Sequence, residues 1–412
     1  MLAPKQYWIS FIALVVLMAA TRCANAEKQY DAGASDFEIR IGNIMPYSGP
    51  ASAYGIIGRT MTAFFQMVND NGGINGRRIN FISYDDAYSP SKTMEQARRL
   101  VEDDEVLAIF APFGTASNAA IQRYMNNKRV PQLFVISGAS RWGDPGQFPW
   151  TIGWQPTYRA EARVYANYIL SNHPNARIGI IYQNDDFGRE YLRGLEDVFK
   201  DRFSKMVIAA AHYEVGTPTV DSQVVAIKSS APDVFINVAT PKYAAQVIRK
   251  LGELNWRPIH ILTNVSVSIG AVLRPAGLQN SNGILSAGYQ MDVTDAQWAR
   301  QPGMRSFRSF LDKYYPEVDR TESGPLIAYN MGTALVEVIK RCGDDLSRLN
   351  IMKTASDLDL EIGGYIPGVR IRTSPTDFFP IEQLQMMRFN GAQWDLFGPL
   401  VGGEESPLTA SK

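Results

Sequence analysis

The sequence predicts an α/β protein built from two doubly wound lobes, each with a parallel sheet covered by helices. Short apolar strands alternate with amphipathic helices over residues 37–135, and the same rhythm resumes over residues 158–262. Turn residues interrupt the periodicity between Phe148 and Pro156. A length of 412 residues is ample for two domains with substantial cores.

Alternation, helical spacing and capping residues define the elements of the first half. Asn71-Gly72-Gly73 ends one helix because these residues tolerate left-handed conformations, and Ser89-Pro90 opens the next as N-cap and first-turn proline. The predicted strands cover residues 37–44, 78–84, 106–110 and 132–135, and the first predicted helix covers residues 57–68.

The second half repeats this order. Its strands are short and apolar on both faces, as a covered parallel sheet requires. The predicted strands are 177–182, 206–213, 234–237 and 259–262, and the predicted helices are 158–171, 188–201, 220–229 and 243–254.

The last third has longer helices and then two strand-like segments. These segments could complete the first sheet before the chain ends on the second. The predicted helices are 304–315 and 326–342, and the strand-like segments are 369–372 and 381–389. We therefore expect a first lobe of residues 36–154 and 288–370, a second lobe of residues 155–287 and 371–402, and a tail of residues 403–412.

Composition and charge exclude several classes of protein. Lys plus Arg number 41 and Asp plus Glu number 41, so the net charge is +0 and no basic excess is available to neutralise phosphates. We expect no nucleic-acid partner. Three histidines and two cysteines cannot build a Cys-rich zinc site, and no H-E-x-x-H motif occurs. We expect no metal site and no cofactor.

The amino terminus is typical of a cleaved secretory signal over residues 1–26. Ala24-Asn25-Ala26 places small residues where signal peptidase cuts, after an apolar run over residues 9–20. That run is shorter than the ~20 residues that cross a bilayer as a helix. We expect a periplasmic mature chain that starts near Glu27, with Cys342 left as a single thiol that cannot form an internal disulfide.

Catalytic motifs are weak in this sequence. Ser89-Pro90-Ser91-Lys92 matches the S-x-x-K pattern of penicillin-recognising enzymes, but its K-T-G and S-D-N partners do not occur, and a helix cap explains Ser89 better. The acidic pairs Asp85-Asp86 and Asp185-Asp186 follow predicted strands, where ligands bind in open α/β sheets. An exported hydrolase that uses these acids is one alternative, although solvated helix-start residues are the simpler interpretation.

Two strand-to-helix junctions are the most informative segments. Residues 111–118 leave a predicted strand and open a helix, and residues 136–142 follow another strand with more hydroxyls and amides. Such junctions present free backbone N–H groups and the positive end of a helix dipole. A carboxylate could bind there without arginine. Ordinary strand-to-helix turns would explain either junction alone, so a functional interpretation depends on the wider pattern of motifs along the chain.

The motifs that form the wider pattern are Ile41-Gly42-Asn43-Ile44-Met45-Pro46-Tyr47-Ser48-Gly49-Pro50, Tyr54-Gly55, Asn71-Gly72-Gly73-Ile74-Asn75-Gly76, Tyr84-Asp85-Asp86, Asn184-Asp185-Asp186-Phe187-Gly188 and Arg249-Lys250-Leu251-Gly252. In this combination and order they resemble the leucine/isoleucine/valine-binding type of periplasmic solute-binding protein. The resemblance covers residues 37–398. It implies a type I, Venus-flytrap architecture with hinge crossovers, and a partner ABC permease in the inner membrane.

The resemblance also implies ligand contacts. It puts a tyrosine that covers the ligand, Tyr54, and a carboxylate-binding loop, Phe113-Gly114-Thr115, on the first lobe. It puts a second anchoring turn after the next strand, at Gly138 and Ser140, and an aromatic contact, Phe187, on the other lobe. Thr240 and Asn264 lie where the family has a tyrosine and an acidic residue. With Trp142 added as a possible rim contact, the expected ligand-binding residues are Tyr54, Phe113, Gly114, Thr115, Gly138, Ser140, Trp142, Phe187, Thr240 and Asn264.

Asn264 affects the expected ligand class. An ammonium group taken out of water needs a charge partner, which asparagine does not supply. Asp292 or Asp295 could substitute, because the correspondence is good only to a residue or two. We expect a small carboxylate with an aromatic or branched-chain body, which includes acids, amino acids and amides, with an α-amino acid less favoured.

Three functions follow from these observations. The leading expectation is an extracytoplasmic binding subunit of an ABC importer, which captures its solute between two closing lobes and is not an enzyme. A ligand-sensing receptor subunit of the same fold and the exported hydrolase are the alternatives.

Overall fold

The computed structural model describes residues 28–402. The expected signal segment of residues 1–26, the expected mature start at Glu27 and the expected tail of residues 403–412 lie outside the described residues. Two mainly parallel sheets organise the described chain, and we call the parts built on them the first lobe and the second lobe. The predicted fold class is confirmed.

The first lobe contains a five-stranded sheet in which every pairing is parallel. Its strand order, β3-β2-β4-β5-β6, places the central strands where both faces are covered. The strands are β2 (Glu38–Met45), β3 (Arg78–Asp85), β4 (Ala108–Phe110), β5 (Gln132–Val135) and β6 (Thr151–Gly153), and β1 (Gln29–Tyr30) pairs elsewhere.

Helices cover this sheet. Helix α1 ends at Asp70, directly before the predicted stop Asn71-Gly72-Gly73. At the end of α3, Arg129 adopts a left-handed conformation with φ 54°, a conformation that closes a helix. The helices are α1 (Gly55–Asp70), α2 (Pro90–Arg98) and α3 (Thr115–Lys128).

The second lobe contains a seven-stranded sheet of order β16-β15-β11-β10-β9-β7-β8. Its first five strands along the chain are parallel, and the last two, β15 and β16, add to one edge in antiparallel orientation. The strands are β7 (Ile178–Gln183), β8 (Val207–Tyr213), β9 (Val234–Val238), β10 (Ile259–Leu262), β11 (Leu285–Gly288), β15 (Gln383–Phe389) and β16 (Trp394–Gly402).

The helices of the second lobe connect these strands. Two of them, α4 and α5, lie against each other along their length. The helices are α4 (Tyr158–Asn172), α5 (Asp186–Phe199), α6 (Phe203–Met206), α7 (Asp221–Ser229), α8 (Pro241–Glu253), α9 (Arg274–Ala276) and α10 (Leu278–Ser281).

The last third of the chain returns to the first lobe before it ends in the second. Helices α11 and α12 pack on α1 there. The strand-like segment at residues 369–372 does not join the first sheet. Only Ile371–Arg372 forms a strand, and this strand pairs with β13 in a separate two-stranded ribbon. The remaining elements are α11 (Pro302–Tyr314), α12 (Gly324–Cys342), β12 (Asp345–Leu346), α13 (Arg348–Ala355), β13 (Asp359–Leu360) and β14 (Ile371–Arg372).

Close packing of α4 on α5 depends on Gly194. A Cβ atom at this position would lie 2.4 Å from the backbone oxygen of Arg159 and 2.6 Å from the Cβ atom of Ala162. We predict that Gly194→Ala lowers the free energy of unfolding by roughly 1–3 kcal/mol, because the helices must separate. Urea unfolding measures this difference. Gly402→Ala is the matched control, since nothing lies within 4 Å of its added methyl group. Equal stability of the two variants would contradict the packing argument.

Candidate functional site

The two lobes enclose a cavity. First-lobe residues in its wall include Tyr54, Phe113 and Thr115, and second-lobe residues include Phe187 and Asn264. Apolar and aromatic side chains form much of the wall, as in most small-molecule sites. Among the described residues that line the cavity there is no lysine, arginine or histidine.

The N-terminus of α3 opens onto this cavity through Gly114 and Thr115. No side chain caps the helix, so the amides of its first turn keep their hydrogen-bonding capacity. Gly114 adopts φ 97°, which a residue with a side chain would adopt only under strain. The Thr115 hydroxyl lies 2.8 Å from the hydroxyl of Ser137. Free amides, a helix dipole and a hydroxyl together form a site suited to an anion.

Tyr88 covers this helix end, and the sequence analysis did not identify it. A Cβ atom at Gly114 would lie 2.6 Å from the Tyr88 ring, so only glycine leaves room for the ring. Ala87 and Tyr88 both adopt left-handed conformations, with φ 50° and φ 58°. The backbone amide of Ala87 donates to Asp85 at 2.9 Å, and that of Tyr88 donates to Asp86 at 2.8 Å. The acid pair therefore fixes the loop that places Tyr88.

The environments of Asp85 and Asp86 shift their pKa values in opposite directions. Burial favours a higher pKa for Asp85, but hydrogen bonds from Ser48 and from backbone amides outweigh it and lower the pKa. Burial raises the pKa of Asp86, against hydrogen bonds from Thr93, Tyr88 and Ser117. Both carboxylates are engaged with protein donors, which fits a structural role.

Aromatic rings from both lobes form the apolar wall. Tyr54 and Phe113 lie with ring centroids 4.2 Å apart on the first lobe, and Tyr158 and Phe187 lie 4.8 Å apart on the second. The Tyr54 hydroxyl crosses the cleft and donates to the carbonyl of Val265 at 2.9 Å. The structure therefore brings together Tyr54, Phe113 and Phe187 of the predicted residues.

Of the second junction, residues 136–142, Ile136 lines the cavity but the predicted ligand-binding residues do not. At Gly138, a Cβ atom would lie 2.7 Å from the carbonyl oxygen of Pro156 and 2.8 Å from the Tyr158 ring, so the backbone is already in contact with protein. The amide and hydroxyl of Ser140 donate to the carboxylate of Glu190. Trp142 is 1% exposed and lies in the core, not at the rim. Gly138, Ser140 and Trp142 are not among the residues that line the cavity.

Thr240 and Asn264 both line the cavity. Thr240 lies at the start of α8, and its amide donates to the Tyr213 hydroxyl at 3.1 Å. The Asn264 side-chain amide donates to the carbonyl of Ala287 at 2.6 Å, and its backbone amide donates to Glu161 at 2.7 Å. A buried carboxyl group therefore lies directly behind Asn264.

Glu161 is 2% exposed. Its carboxylate accepts the Tyr165 hydroxyl at 2.6 Å in addition to the Asn264 amide. Burial raises its pKa from 4.5 to about 7, and the hydrogen bonds from Tyr165 and Asn264 only partly oppose this.

The charged side chains in the cavity wall are Asp292 and Glu322. Asp292 accepts hydrogen bonds from Thr294 and from the amide of Trp394, and burial raises its pKa. Glu322 accepts the hydroxyl of Ser268 from the opposite lobe at 2.9 Å, and burial raises its pKa as well. Of the two acids that were expected as substitutes for Asn264, Asp292 lines the cavity and Asp295 does not.

Other residues in the wall were not anticipated from the sequence. These residues lie after chain crossovers or in segments far apart in the sequence, so local periodicity gives no signal for them. They include Gln155, Tyr158, Tyr289, Gln290, Trp298, Glu322 and Trp394.

Asp185 and Asp186 do not form a catalytic pair. Asp185 accepts the amide of Gly188 at 3.4 Å as the N-cap of α5, and it accepts the Gln183 side chain at 2.6 Å. Asp186 pairs with Arg189 at 3.4 Å and with Arg141 at 3.9 Å. Capping and ion pairing account for both acids.

Over residues 28–402 no helix is sufficiently long and apolar to span a bilayer. Nor do three or more His, Cys, Asp or Glu side chains gather there as a metal ion would require.

Comparison with known proteins identifies the family. A family model described as periplasmic binding protein matches residues 38–393. This chain belongs to the periplasmic binding protein family. The family's curated members include "Leu/Ile/Val-binding protein homolog 7" of Brucella abortus (strain 2308), which is 23% identical over 387 residues that cover 90% of this chain and 92% of the relative.

Solved structures of periplasmic binding proteins share the fold. A branched chain amino acid ABC transporter protein from Thermus thermophilus with bound valine aligns with TM-score 0.80 and 14% identity, covering 90% of this chain and 98% of the other. A fatty acid ABC transporter substrate-binding protein from Thermomonospora curvata aligns with TM-score 0.76 and 16% identity, covering 92% and 96%. The matching family model is described as a binding protein and the Brucella relative as a Leu/Ile/Val-binding protein homolog, so the chain is a binding protein rather than an enzyme and the hydrolase alternative is set aside.

The buried carboxyl of this periplasmic binding protein predicts a pH-dependent stability. Because the pKa of Glu161 is raised on folding, the folded state binds more protons than the unfolded state between pH 4.5 and about 7. The stability that depends on the protonated carboxyl is therefore lost as pH rises through about 7. We predict that Glu161→Gln removes this loss, which amounts to about 3 kcal/mol.

Urea unfolding at pH 5 and pH 8 measures the effect. The control is Glu95→Gln, which alters an exposed carboxylate on α2. A Glu161→Gln variant whose stability falls between these pH values as steeply as that of the wild type would disprove the assignment.

Proposed function

We propose that this chain is the extracytoplasmic solute-binding subunit of an ABC importer that captures a small monocarboxylate with an aromatic or branched apolar body. The observation that carries the proposal is the uncapped N-terminus of α3, which opens at Gly114 and Thr115 onto a cavity with many apolar residues in its wall.

The helix terminus supports the carboxylate end of the ligand. Backbone amides and the Thr115 hydroxyl can replace the water that a carboxylate loses on entering the cleft. The described cavity wall offers no cationic side chain as an alternative. The Tyr88 ring over Gly114 shields this end from solvent, which strengthens each hydrogen bond to the anion.

The rest of the wall supports an apolar ligand body. Tyr54 and Phe113 from the first lobe and Phe187 from the second offer ring surfaces that bury an aromatic or branched group. Two structural neighbours, a branched chain amino acid ABC transporter protein with bound valine and a fatty acid ABC transporter protein, are associated with carboxylates that have apolar bodies.

The acids in the wall argue against a second carboxylate on the ligand. Asp292 and Glu322 would repel it, and neither has a cationic partner in the described wall. The same acids are poor partners for an ammonium group of the ligand, because Asp292 and Glu322 already accept hydrogen bonds from protein donors. A monocarboxylate without a required ammonium group fits this charge pattern.

Capture requires the two lobes to close over the ligand. Contacts such as Tyr54 to Val265 and Ser268 to Glu322 form only when the lobes meet. A ligand that touches both lobes would shift the population towards this form, which the ABC permease in the inner membrane would then recognise.

Isothermal titration calorimetry tests the ligand class with matched probes. Leucine and 4-methylpentanoate share one apolar body and differ in the ammonium group. Benzoate and 4-hydroxycinnamate carry an aromatic body, benzamide has an amide in place of the carboxylate, and succinate carries a second carboxylate. We expect micromolar or tighter binding of at least one monocarboxylate and none of succinate. Tight binding of leucine alone would overturn the ligand class, and any turnover of a probe would overturn the binding function.

Thr115→Val tests the anchoring site. Valine keeps the shape of threonine but lacks the hydroxyl, so we expect the monocarboxylate that binds tightest in this series to bind about tenfold more weakly or worse, as for loss of a hydrogen bond to a charged group. Thr62→Val is the control, because it removes an exposed hydroxyl on α1 outside the cavity. Equal affinities of the two variants would place the carboxylate elsewhere.

A further inference from the structure

We propose that Glu190 is a positioning residue whose carboxylate fills the second anchoring turn of the first lobe and draws the lobes together. The backbone amide of Ser140 donates to both carboxylate oxygens at 3.0 Å, and its hydroxyl donates at 2.9 Å. Ser140 belongs to the first lobe and Glu190 to α5 of the second. The contact therefore spans the cleft.

The turn has the chemistry of a carboxylate site. Ala139 is extended, with ψ 132°, and Ser140 begins a short 3₁₀ helix, so the amide and hydroxyl of Ser140 point to one acceptor. Hydrogen bonds between such donors and a carboxylate are short and strong. Glu190 is 7% exposed, which limits competition from water. A carboxylate of the protein thus occupies the turn that the family resemblance assigns to a ligand.

The position of Glu190 connects this contact to the ligand cavity. Phe187, one turn earlier on α5, lines the cavity, whereas Glu190 does not. The amide of Tyr158 donates to the carbonyl of Gly138 at 2.7 Å, so the turn also lies beside a crossover between the lobes. When Glu190 meets Ser140, the same helix brings Phe187 over the cavity.

Two consequences follow, and both rest on the lobe closure of the proposed function. The closed form is populated without ligand, because one interlobe carboxylate contact is internal. In addition, the ligand needs only one carboxylate, at the end of α3, since the second turn is already filled.

Distance measurements between spin labels test the proposal without any ligand. Leu349 on the first lobe and Val225 on the second are 69% and 47% exposed and lie outside the cleft. Labels at Leu349→Cys and Val225→Cys, in a chain with Cys23→Ser and Cys342→Ser, report lobe separation by electron–electron double resonance. We expect Glu190→Gln and Glu190→Ala to lower the closed-to-open ratio about tenfold or more.

Rescue by a small carboxylate separates positioning from general structural damage. In Glu190→Ala the turn is free for a small anion, so about 100 mM sodium acetate should restore part of the closed population. Sodium chloride at the same concentration should not. Glu196→Gln on the same helix is the control. Its side chain is exposed, so the closed population should not change.

Other outcomes overturn the proposal. A wild-type chain that is fully open without ligand, or Glu190 variants as closed as the wild type, would show that the contact does not draw the lobes together. Absence of acetate rescue would assign Glu190 a general structural role. Should Glu190→Ala fail to fold, Ser140→Ala, which removes only the hydroxyl, must still lower the closed population. None of these results depends on which solute binds, so failure of the ligand class is distinguishable.

Discussion

The free N–H groups at the start of a helix must find acceptors, and this constraint organises the cleft. In a parallel α/β sheet, the carboxyl ends of strands and the N-termini of the following helices meet at one edge. Strand β4 ends at Phe110, and Gly114 turns the chain into α3 at that edge. The second lobe presents its own helix starts, at Asp186 and Pro241, across the cleft.

Carboxylates of the protein meet many of these donors. Asp185 caps α5, Asp86 holds the loop before α2, and Glu190 accepts from Ser140 across the lobes. Several helices, α3 among them, have no side-chain cap in the described chain, and the start of α3 opens onto the cavity at Gly114 and Thr115. An external carboxylate at that start is our proposal, and Glu161 is a buried acid behind the cavity wall.

Much of the fold was predictable because its signals are local. Apolar runs and first-turn residues such as Pro90 specify strands and helices without distant contacts, although the Ser89 side chain, predicted as the N-cap, makes no capping hydrogen bond. The pairing of the final strands was not predictable in this way, because β15 joins β11 across about a hundred residues of intervening chain. The candidate site shows the same division. The junction at Gly114 was visible as a small-residue turn, whereas Tyr88 and Glu322 reach the cavity only through folding.

The sequence by itself determined the two-lobed α/β class and the junction that opens α3, because period, apolar runs and turn residues act over a few neighbours. Tertiary structure decided which donors face the cavity. The junctions at residues 111–118 and 136–142 look equivalent in sequence, yet the uncapped first turn of α3 opens onto the cavity at Thr115, whereas Ser140 donates to Glu190. The physical reason is that hydrogen-bond partners are set by distance in space, and residues 140 and 190, which are 50 positions apart in the chain, become neighbours only when the chain folds.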